Sequence, residues 1–191
     1  YIDALRKLGK TPSILGDIYA GAQSRFNNPV NLKKLVSLID ETEWISLGID
    51  VKAAAYEGLL EKAASEGKKG AGQYFTPRPL IQAMVDVVQP QPGQTICDPA
   101  AGTGGFLLAA HDTIQARTTL DREQQRFLRN ETLHGWEIVD NTARLCVMNL
   151  YLHGIGNGES PILTGDALAS DPGHRYNVIL TNPPFGRKSS F

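Results

Sequence analysis

From residue 79 onward, short apolar runs alternate with longer amphipathic runs, and this alternation constrains the fold more than any other feature of the sequence. The short runs predict strands over 95–98 and 132–138, then one in SPILTGDAL and one in YNVILTNPPF. The longer runs predict helices over 79–88, from the start of GGFLLAAHDTIQA, and over 141–154. Strands separated by helices pair in parallel, so the sequence predicts an α/β sheet with helices on both faces.

The first part of the chain has a different pattern. Residues 1–70 predict a helical N-terminal segment, and residues 71–191 predict a second part that contains the sheet. In 31–40, an apolar face recurs at helical spacing, with Asn31 as a possible cap. In 51–65, the apolar face is expected at Val51, Ala55, Leu59 and Ala63. The stretch EGKKGAGQ then predicts a connection between the two parts.

Composition limits the class of protein. Of 191 residues, 41% are apolar and 20% charged, which suffices for a packed core. The formal net charge of -1 gives no support for a dedicated nucleic-acid module, which is usually basic. Cys97 and Cys146 stand in separate apolar runs and predict reduced thiols in a cytoplasmic protein. The four histidines lack metal-ligand spacing, so no metal site is expected. Because the chain begins at Tyr1, we expect a piece of a longer protein.

A glycine-rich loop follows the first predicted strand, in DPAAGTGGFL (98–107). Gly102, Gly104 and Gly105 allow a tight turn and a close approach of a ligand to the backbone. The loop lacks both the lysine of a nucleoside-triphosphate loop and the G-x-G-x-x-G spacing of a dinucleotide site. With Asp98 in front of it, a cationic or neutral ligand is favoured over a pyrophosphate.

Acidic residues end the next two predicted strands. Glu137 has the position of a carboxylate that accepts both hydroxyls of a ribose, although a solvated glutamate is the alternative. Asp166 could accept a hydrogen bond from the exocyclic amine of an adenine ring. It could equally cap a helix.

The stretch NPPF (182–185) at the end of the fourth predicted strand is the most specific element. Asn182 offers a carbonyl acceptor, and Pro183 and Pro184 hold their carbonyls in place because proline fixes φ. Phe185 presents a flat apolar face. Two acceptors and a stacking ring suit a planar group that bears an NH2, whose weak nucleophilicity is raised when acceptors match its developing positive charge.

The stretch GQYFTPRPL (72–80) precedes the first predicted strand. Its two prolines extend the backbone, and Gln73, Tyr74, Thr76 and Arg78 supply polar groups. The guanidinium of Arg78 could bind the carboxylate of an amino-acid-bearing ligand. A packing loop that leads into a helix is the alternative.

In this order, GQYFTPRPL, DPAAGTGGFL, Glu137, GDAL and NPPF closely resemble the modification subunit of type I restriction-modification systems, over about residues 25–191. That family comprises S-adenosylmethionine-dependent DNA methyltransferases that act on the N6 amine of adenine. The resemblance implies a Rossmann-like methyltransferase sheet, C-terminally truncated here. It implies that residues 1–70 end a larger N-terminal domain and that residues 71–191 form the N-terminal part of the methyltransferase catalytic domain. It also implies DNA as the substrate, and a specificity subunit and a restriction subunit as partners in a hetero-oligomer.

The resemblance also implies the cofactor contacts. The segment that borders the methionine end of the cofactor comprises Gln73, Tyr74, Phe75, Thr76, Pro77 and Arg78. The residues under its amino-acid group are Asp98, Gly102, Thr103, Gly104, Gly105 and Phe106. Glu137 would accept the ribose hydroxyls, and Asp166 would lie beside the adenine ring.

For the target base, the resemblance implies that Asn182 and the carbonyl of Pro183 hold the amine. Pro184 completes the motif, and Phe185 stacks on the adenine, which must first leave the duplex. We expect the 191-residue chain alone not to methylate DNA. Two alternatives remain open: methylation of a glutamine side chain in a protein, whose amide would fit the same strand end, and a non-catalytic scaffold that binds the cofactor.

Overall fold

The computed structural model describes residues 1–66, 76–156 and 158–184. The helices are α1 Ile2–Leu8, α2 Ile14–Tyr19, α3 Pro29–Asp40, α4 Ile49–Glu66, α5 Arg78–Val88, α6 Gly105–Arg117, α7 Arg122–Asn130 and α8 Asp140–Leu152. The strands are β1 Ile96–Asp98, β2 Leu133–Glu137, β3 Ile162–Thr164 and β4 Val178–Ile179.

The four strands form one sheet in the order β3-β2-β1-β4, and every pair is parallel. Ile96 of β1 is in register with Leu133 of β2 and with Val178 of β4, and Gly135 of β2 is in register with Ile162 of β3. The α/β class predicted from the alternation is therefore confirmed. Because all the strands run in the same direction, their carboxyl ends meet at one edge of the sheet.

The hydrophobic core lies on one face of this sheet. Ile96, Leu133, Ile162 and Leu180 belong to the same buried cluster as the inward residues of α5, α6 and α8. The opposite face carries Leu163 and Ile179, which are 56% and 62% exposed. In the described part of the chain, helices thus cover one face, whereas the alternation predicted helices on both.

Two helices of the N-terminal segment pack against α8 of the sheet domain. Ile14 and Ile18 of α2 are members of the core cluster. In α4, Ala53 and Leu60 are buried, and the hydroxyl of Tyr56 donates to the carbonyl of Leu145 in α8 over 3.3 Å. The domain boundary expected at residue 70 lies outside the described residues and stays a prediction.

The buried face of α4 differs from the predicted one. Val51 and Leu59 are 52% and 65% exposed, whereas Ala53 is 3% and Leu60 9% exposed. Both faces recur at helical spacing, so periodicity alone cannot choose between them. Helix α4 packs against α8, so tertiary contacts rather than periodicity determine which face is buried.

The cap of α3 is Asn28, not Asn31 as predicted. The side chain of Asn28 accepts a hydrogen bond from the backbone of Val30 over 2.9 Å, and Pro29 occupies the first helical position. Proline has no N–H and its φ is already helical, so this position tolerates it best. Asn31 consequently lies inside the first turn. None of the residues of α3 is buried.

Within the described residues, no helix combines the length and the apolar character needed to cross a lipid bilayer.

Candidate active site at the carboxyl edge of the sheet

Four polar residues predicted from the sequence follow the four strands at the same edge. Asp98 ends β1 and Glu137 ends β2, while Asp166 and Asn182 follow β3 and β4 by two and three residues. The strand order places them across the edge as Asp166, Glu137, Asp98 and Asn182. This edge is where open parallel sheets bind ligands, and the structure brings all four residues to it.

Asp98 is a buried carboxylate, only 1% exposed. Its Oδ1 accepts a hydrogen bond from the N–H of Ala100 over 3.0 Å. Burial raises the pKa of Asp98 to about 6; the Ala100 bond and the Thr181 side chain oppose the rise, and the nearby Glu137 adds to it. Within the described residues, the hydroxyl oxygen of Thr181 has no hydrogen-bond partner. It lowers the pKa of Asp98 because it lies close to the carboxylate. A cationic ligand would favour ionised Asp98.

The glycine loop connects β1 to α6 through a backbone that requires glycine. Gly102 and Gly104 have φ values of 55° and 88°, in the left-handed region. A Cβ at Gly104 would lie 3.0 Å from the sulfur of Cys146, and one at Gly105 would lie 2.8 Å from Cδ1 of Ile81. Helices α8 and α5 thus hold the loop from both sides. Gly102 has open space where its side chain would be.

Glu137 joins the loop to the end of β2. Its Oε2 accepts from the N–H of Gly102 over 3.0 Å, and its Oε1 accepts from the N–H of Val139 over 2.9 Å. The residue is 8% exposed. A carboxylate has about four lone-pair sites, so each oxygen can still accept a hydroxyl. These bonds exclude the alternative of a solvated glutamate.

Asp166 is exposed and turns the chain after β3. Its Oδ1 accepts from the N–H of Leu168 over 2.9 Å, which is an Asx turn. No helix begins here in the described chain, so the alternative of a helix cap is wrong. The second oxygen remains available to a ligand.

Asn182 lies beyond β4 and is half-buried. Its Nδ2 donates to Oγ1 of Thr76 over 3.0 Å, across 106 residues of sequence. Pro183 and Pro184 are exposed at the same edge. Phe185 lies outside the described residues, so its predicted stacking role stays a prediction.

The segment before α5 is described only in part, because Gln73, Tyr74 and Phe75 lie outside the described residues. Pro77 caps α5. The guanidinium of Arg78 is 3.0 Å from Glu57 and 3.1 Å from Glu61, both on α4. In this structure Arg78 therefore binds α4, and its predicted cofactor contact stays a prediction.

The resemblance also assigned Phe106 and Thr103, at the glycine loop, to the cofactor site. Phe106 is 3% exposed and belongs to the core, so its side chain supports the loop from below. The backbone carbonyl of Thr103 accepts from Nδ2 of Asn149 on α8 over 2.9 Å.

Asn149 is the site residue that the sequence reasoning missed. It is 3% exposed, and its Oδ1 has no partner within the described residues. Burial of an amide is costly unless it is bonded, and the bond from Nδ2 to the Thr103 carbonyl offsets part of that cost and connects α8 to the loop. The available signal was an asparagine within the amphipathic run 141–154.

A sequence profile of the N-6 DNA methylase family matches residues 48–190. The methylase subunit of the type I restriction enzyme StySJI from Salmonella typhimurium (strain LT2) is 38% identical over 97% of this chain. The EcoKI methylase subunit from Escherichia coli (strain K12) is 39% identical over 88% of it. A crystal structure of the modification subunit of a candidate type I restriction enzyme from Vibrio vulnificus YJ016 superposes with a TM-score of 0.78 and 28% identity, over 96% of this chain and 40% of that one.

This chain spans 38% of the length of the StySJI subunit and 34% of that of the EcoKI subunit. The profile covers most of the chain and matches the elements that carry the carboxyl-edge residues. The chain belongs to the N-6 DNA methylase family.

Proposed function

We propose that this chain forms the cofactor-binding side of an S-adenosylmethionine-dependent DNA methyltransferase that modifies the N6 amine of adenine, as part of the modification subunit of a type I restriction-modification system. The observation that carries the proposal is the order of polar residues along the edge: Asp166, Glu137, Asp98 and Asn182. An adenine ring, a ribose, an amino-acid group and a target amine would follow one another in the same order.

The residues present fit S-adenosylmethionine. Asp98 and Glu137 are two buried carboxylates close enough for Glu137 to raise the pKa of Asp98, which suits a ligand with positive charge and hydroxyl groups and disfavours a pyrophosphate. A Cβ at Gly102 would meet no atom within 4 Å, so the loop has open space at this point. Glu137 would accept the ribose hydroxyls, and the Gly102–Gly105 loop would hold the amino-acid group. When bound, the cofactor supplies an electrophilic methyl group on a sulfonium.

The role proposed for Asn182 is to hold and activate the target amine. Its carbonyl and that of Pro183 would accept the two N–H bonds of the amine, which localises the nitrogen lone pair. This stabilises the positive charge that develops on nitrogen in the transition state. Neither carbonyl is a base at neutral pH, so the contribution of the protein is positioning and electrostatic stabilisation.

The match to DNA methylases favours DNA over a protein glutamine as the substrate. The formal net charge of -1 gives the chain little attraction for DNA. We therefore propose that partner subunits supply most of the DNA contacts. The named relatives are subunits of restriction enzymes, which supports a specificity subunit and a restriction subunit as those partners.

The proposal is tested with the full-length protein, its partner subunits and S-adenosylmethionine labelled in the methyl group. We expect label on the N6 of adenine in DNA and none on protein glutamine. Asn182→Ala should abolish transfer, whereas Asn31→Ala, an exposed change of the same kind in α3, should leave it unchanged. Label on protein alone, or full transfer by Asn182→Ala, would overturn the proposal.

A further inference from the structure

The side chain of Asn182 is fixed from one side only. Its Nδ2 donates to Oγ1 of Thr76 over 3.0 Å, and within the described residues its Oδ1 has no hydrogen-bond partner. An asparagine amide can turn over by rotation about its last bond, which exchanges a donor for an acceptor at the same place. In this structure the bond to Thr76 uses the NH2 group, fixes the position of the side chain and leaves the oxygen free for a ligand.

Thr76 is itself held in place. A residue before a proline is restricted to extended conformations, and Pro77 follows it as the cap of α5. Helix α5 is packed against the glycine loop, because the missing side chain of Gly105 admits Ile81; a Cβ there would lie 2.8 Å from Cδ1 of Ile81.

A second anchor fixes the same segment to the N-terminal helices. The guanidinium of Arg78 is 3.0 Å from a carboxylate oxygen of Glu57 and 3.1 Å from one of Glu61. Both glutamates are on α4, which packs against α8. Thr76 therefore stands directly before a helix, α5, that is itself anchored to α4.

We infer that Thr76 is a positioning residue that holds the side chain of Asn182 at the strand end, where its amide oxygen can face the target amine. This inference rests on the proposed function and refines it, since the resemblance assigned Thr76 to the cofactor. Without the bond, the side chain could rotate away from the target amine and its oxygen would no longer be held in place to accept from that amine. Loss of the bond should therefore slow methyl transfer without weakening the binding of S-adenosylmethionine.

The test compares Thr76→Val, Thr76→Ser and the control Thr119→Val in the full-length protein with its partner subunits. Valine has the shape of threonine but cannot accept a hydrogen bond, whereas serine keeps the hydroxyl. We expect kcat of Thr76→Val to fall about tenfold, the size of one net hydrogen bond. The Kd for S-adenosylmethionine should stay within about twofold. Thr76→Ser should restore most of the rate, and Thr119→Val, in the exposed connection between α6 and α7, should match the wild type.

The other outcomes are equally decisive. A weaker Kd for S-adenosylmethionine with unchanged kcat at saturation would make Thr76 a cofactor contact; this would overturn the inference and leave the proposed function standing. No change in either quantity would overturn it as well. If the wild type itself transfers no methyl group, the proposed function fails and the role of Thr76 fails with it. Should Thr76→Val fold poorly, Thr76→Ala replaces it, with rescue by serine read in the same way.

Discussion

The carboxylate of Glu137 accepts a hydrogen bond from the N–H of Gly102 over 3.0 Å, which ties the end of β2 to the glycine loop that follows β1. The two residues are 35 positions apart in sequence. The bond connects two neighbouring strand ends at the carboxyl edge of the sheet. It also leaves lone pairs on the carboxylate for a ligand, so the same group can support the loop and bind a ribose.

Glu137→Gln should weaken the binding of S-adenosylmethionine about tenfold or more, because an amide cannot accept two backbone N–H bonds and two hydroxyls. One backbone N–H would also lose its acceptor, at a cost of about 1–3 kcal/mol of folding stability. Calorimetric titration and denaturant unfolding measure the two effects. Glu123→Gln, on the exposed side of α7, is the matched control. Equal affinity of both variants would remove Glu137 from the site.

The binding of S-adenosylmethionine should depend on pH through Asp98. Because burial raises the pKa of Asp98 to about 6, the residue is largely neutral at about pH 5 and ionised at about pH 7. A cationic amino-acid group binds the ionised form better, so affinity should rise over this interval and binding should release protons near pH 6. Titrations in buffers of different ionisation enthalpy measure that release. Asp98→Asn should flatten the pH profile, and an unchanged profile in this variant would contradict the assignment.

The stability of the free protein should show the opposite dependence on pH. The folded-state pKa of Asp98 lies above its ordinary value of 3.8, so the folded state binds more protons than the unfolded state between these values. The contribution of this group to stability is therefore greatest below about pH 4 and is lost as the pH rises through about 6. Denaturant unfolding of the wild type and Asp98→Asn should diverge in this window. Parallel curves would mean that Asp98 titrates normally.

Asn149→Leu should loosen the glycine loop. Leucine branches at the same carbon as asparagine but is larger, and it cannot donate to the carbonyl of Thr103, which would be left unbonded at a cost of about 1–3 kcal/mol. We expect faster amide hydrogen exchange in the loop and weaker binding of S-adenosylmethionine. Asn141→Leu, an exposed change on the same helix, should do neither. Wild-type exchange in Asn149→Leu would show that the loop does not depend on this bond.

Arg78→Ala should lower stability only modestly, by less than about 1 kcal/mol, because its ion pairs with Glu57 and Glu61 are partly exposed. The effect should shrink at high salt. A double-mutant cycle with Glu57→Gln should reveal the coupling. If Arg78→Ala instead weakens the binding of S-adenosylmethionine about tenfold and leaves stability unchanged, the guanidinium serves the cofactor.

The strand ends could be predicted because short-range patterns determine them. Asp98 and Glu137 each follow an apolar run, and parallel strands bring such residues to one edge whatever the details of packing. The end of α8 was also predicted from the local sequence, because Gly154 follows the helix and takes a φ of 75°, which favours glycine.

What the sequence could not provide depends on contacts between distant residues. The bond between Thr76 and Asn182 and the bond between Asn149 and the Thr103 carbonyl each require the packed helices to exist first. The buried face of α4 was predicted wrongly for the same reason, because two apolar faces recur at helical spacing and only the packing of α4 against other helices decides between them. The cap at Asn28 was missed because the first apolar residue of the pattern, rather than Pro29, was taken as the start of α3.

The most direct test is a crystal structure of the full-length protein with S-adenosylhomocysteine bound. We predict the ligand along the carboxyl edge, with its amino-acid group at the Gly102–Gly105 loop, its ribose on Glu137, its adenine beside Asp166 and its sulfur facing Asn182. A ligand bound elsewhere, or one that leaves Glu137 and Asp98 without contact, would contradict the account.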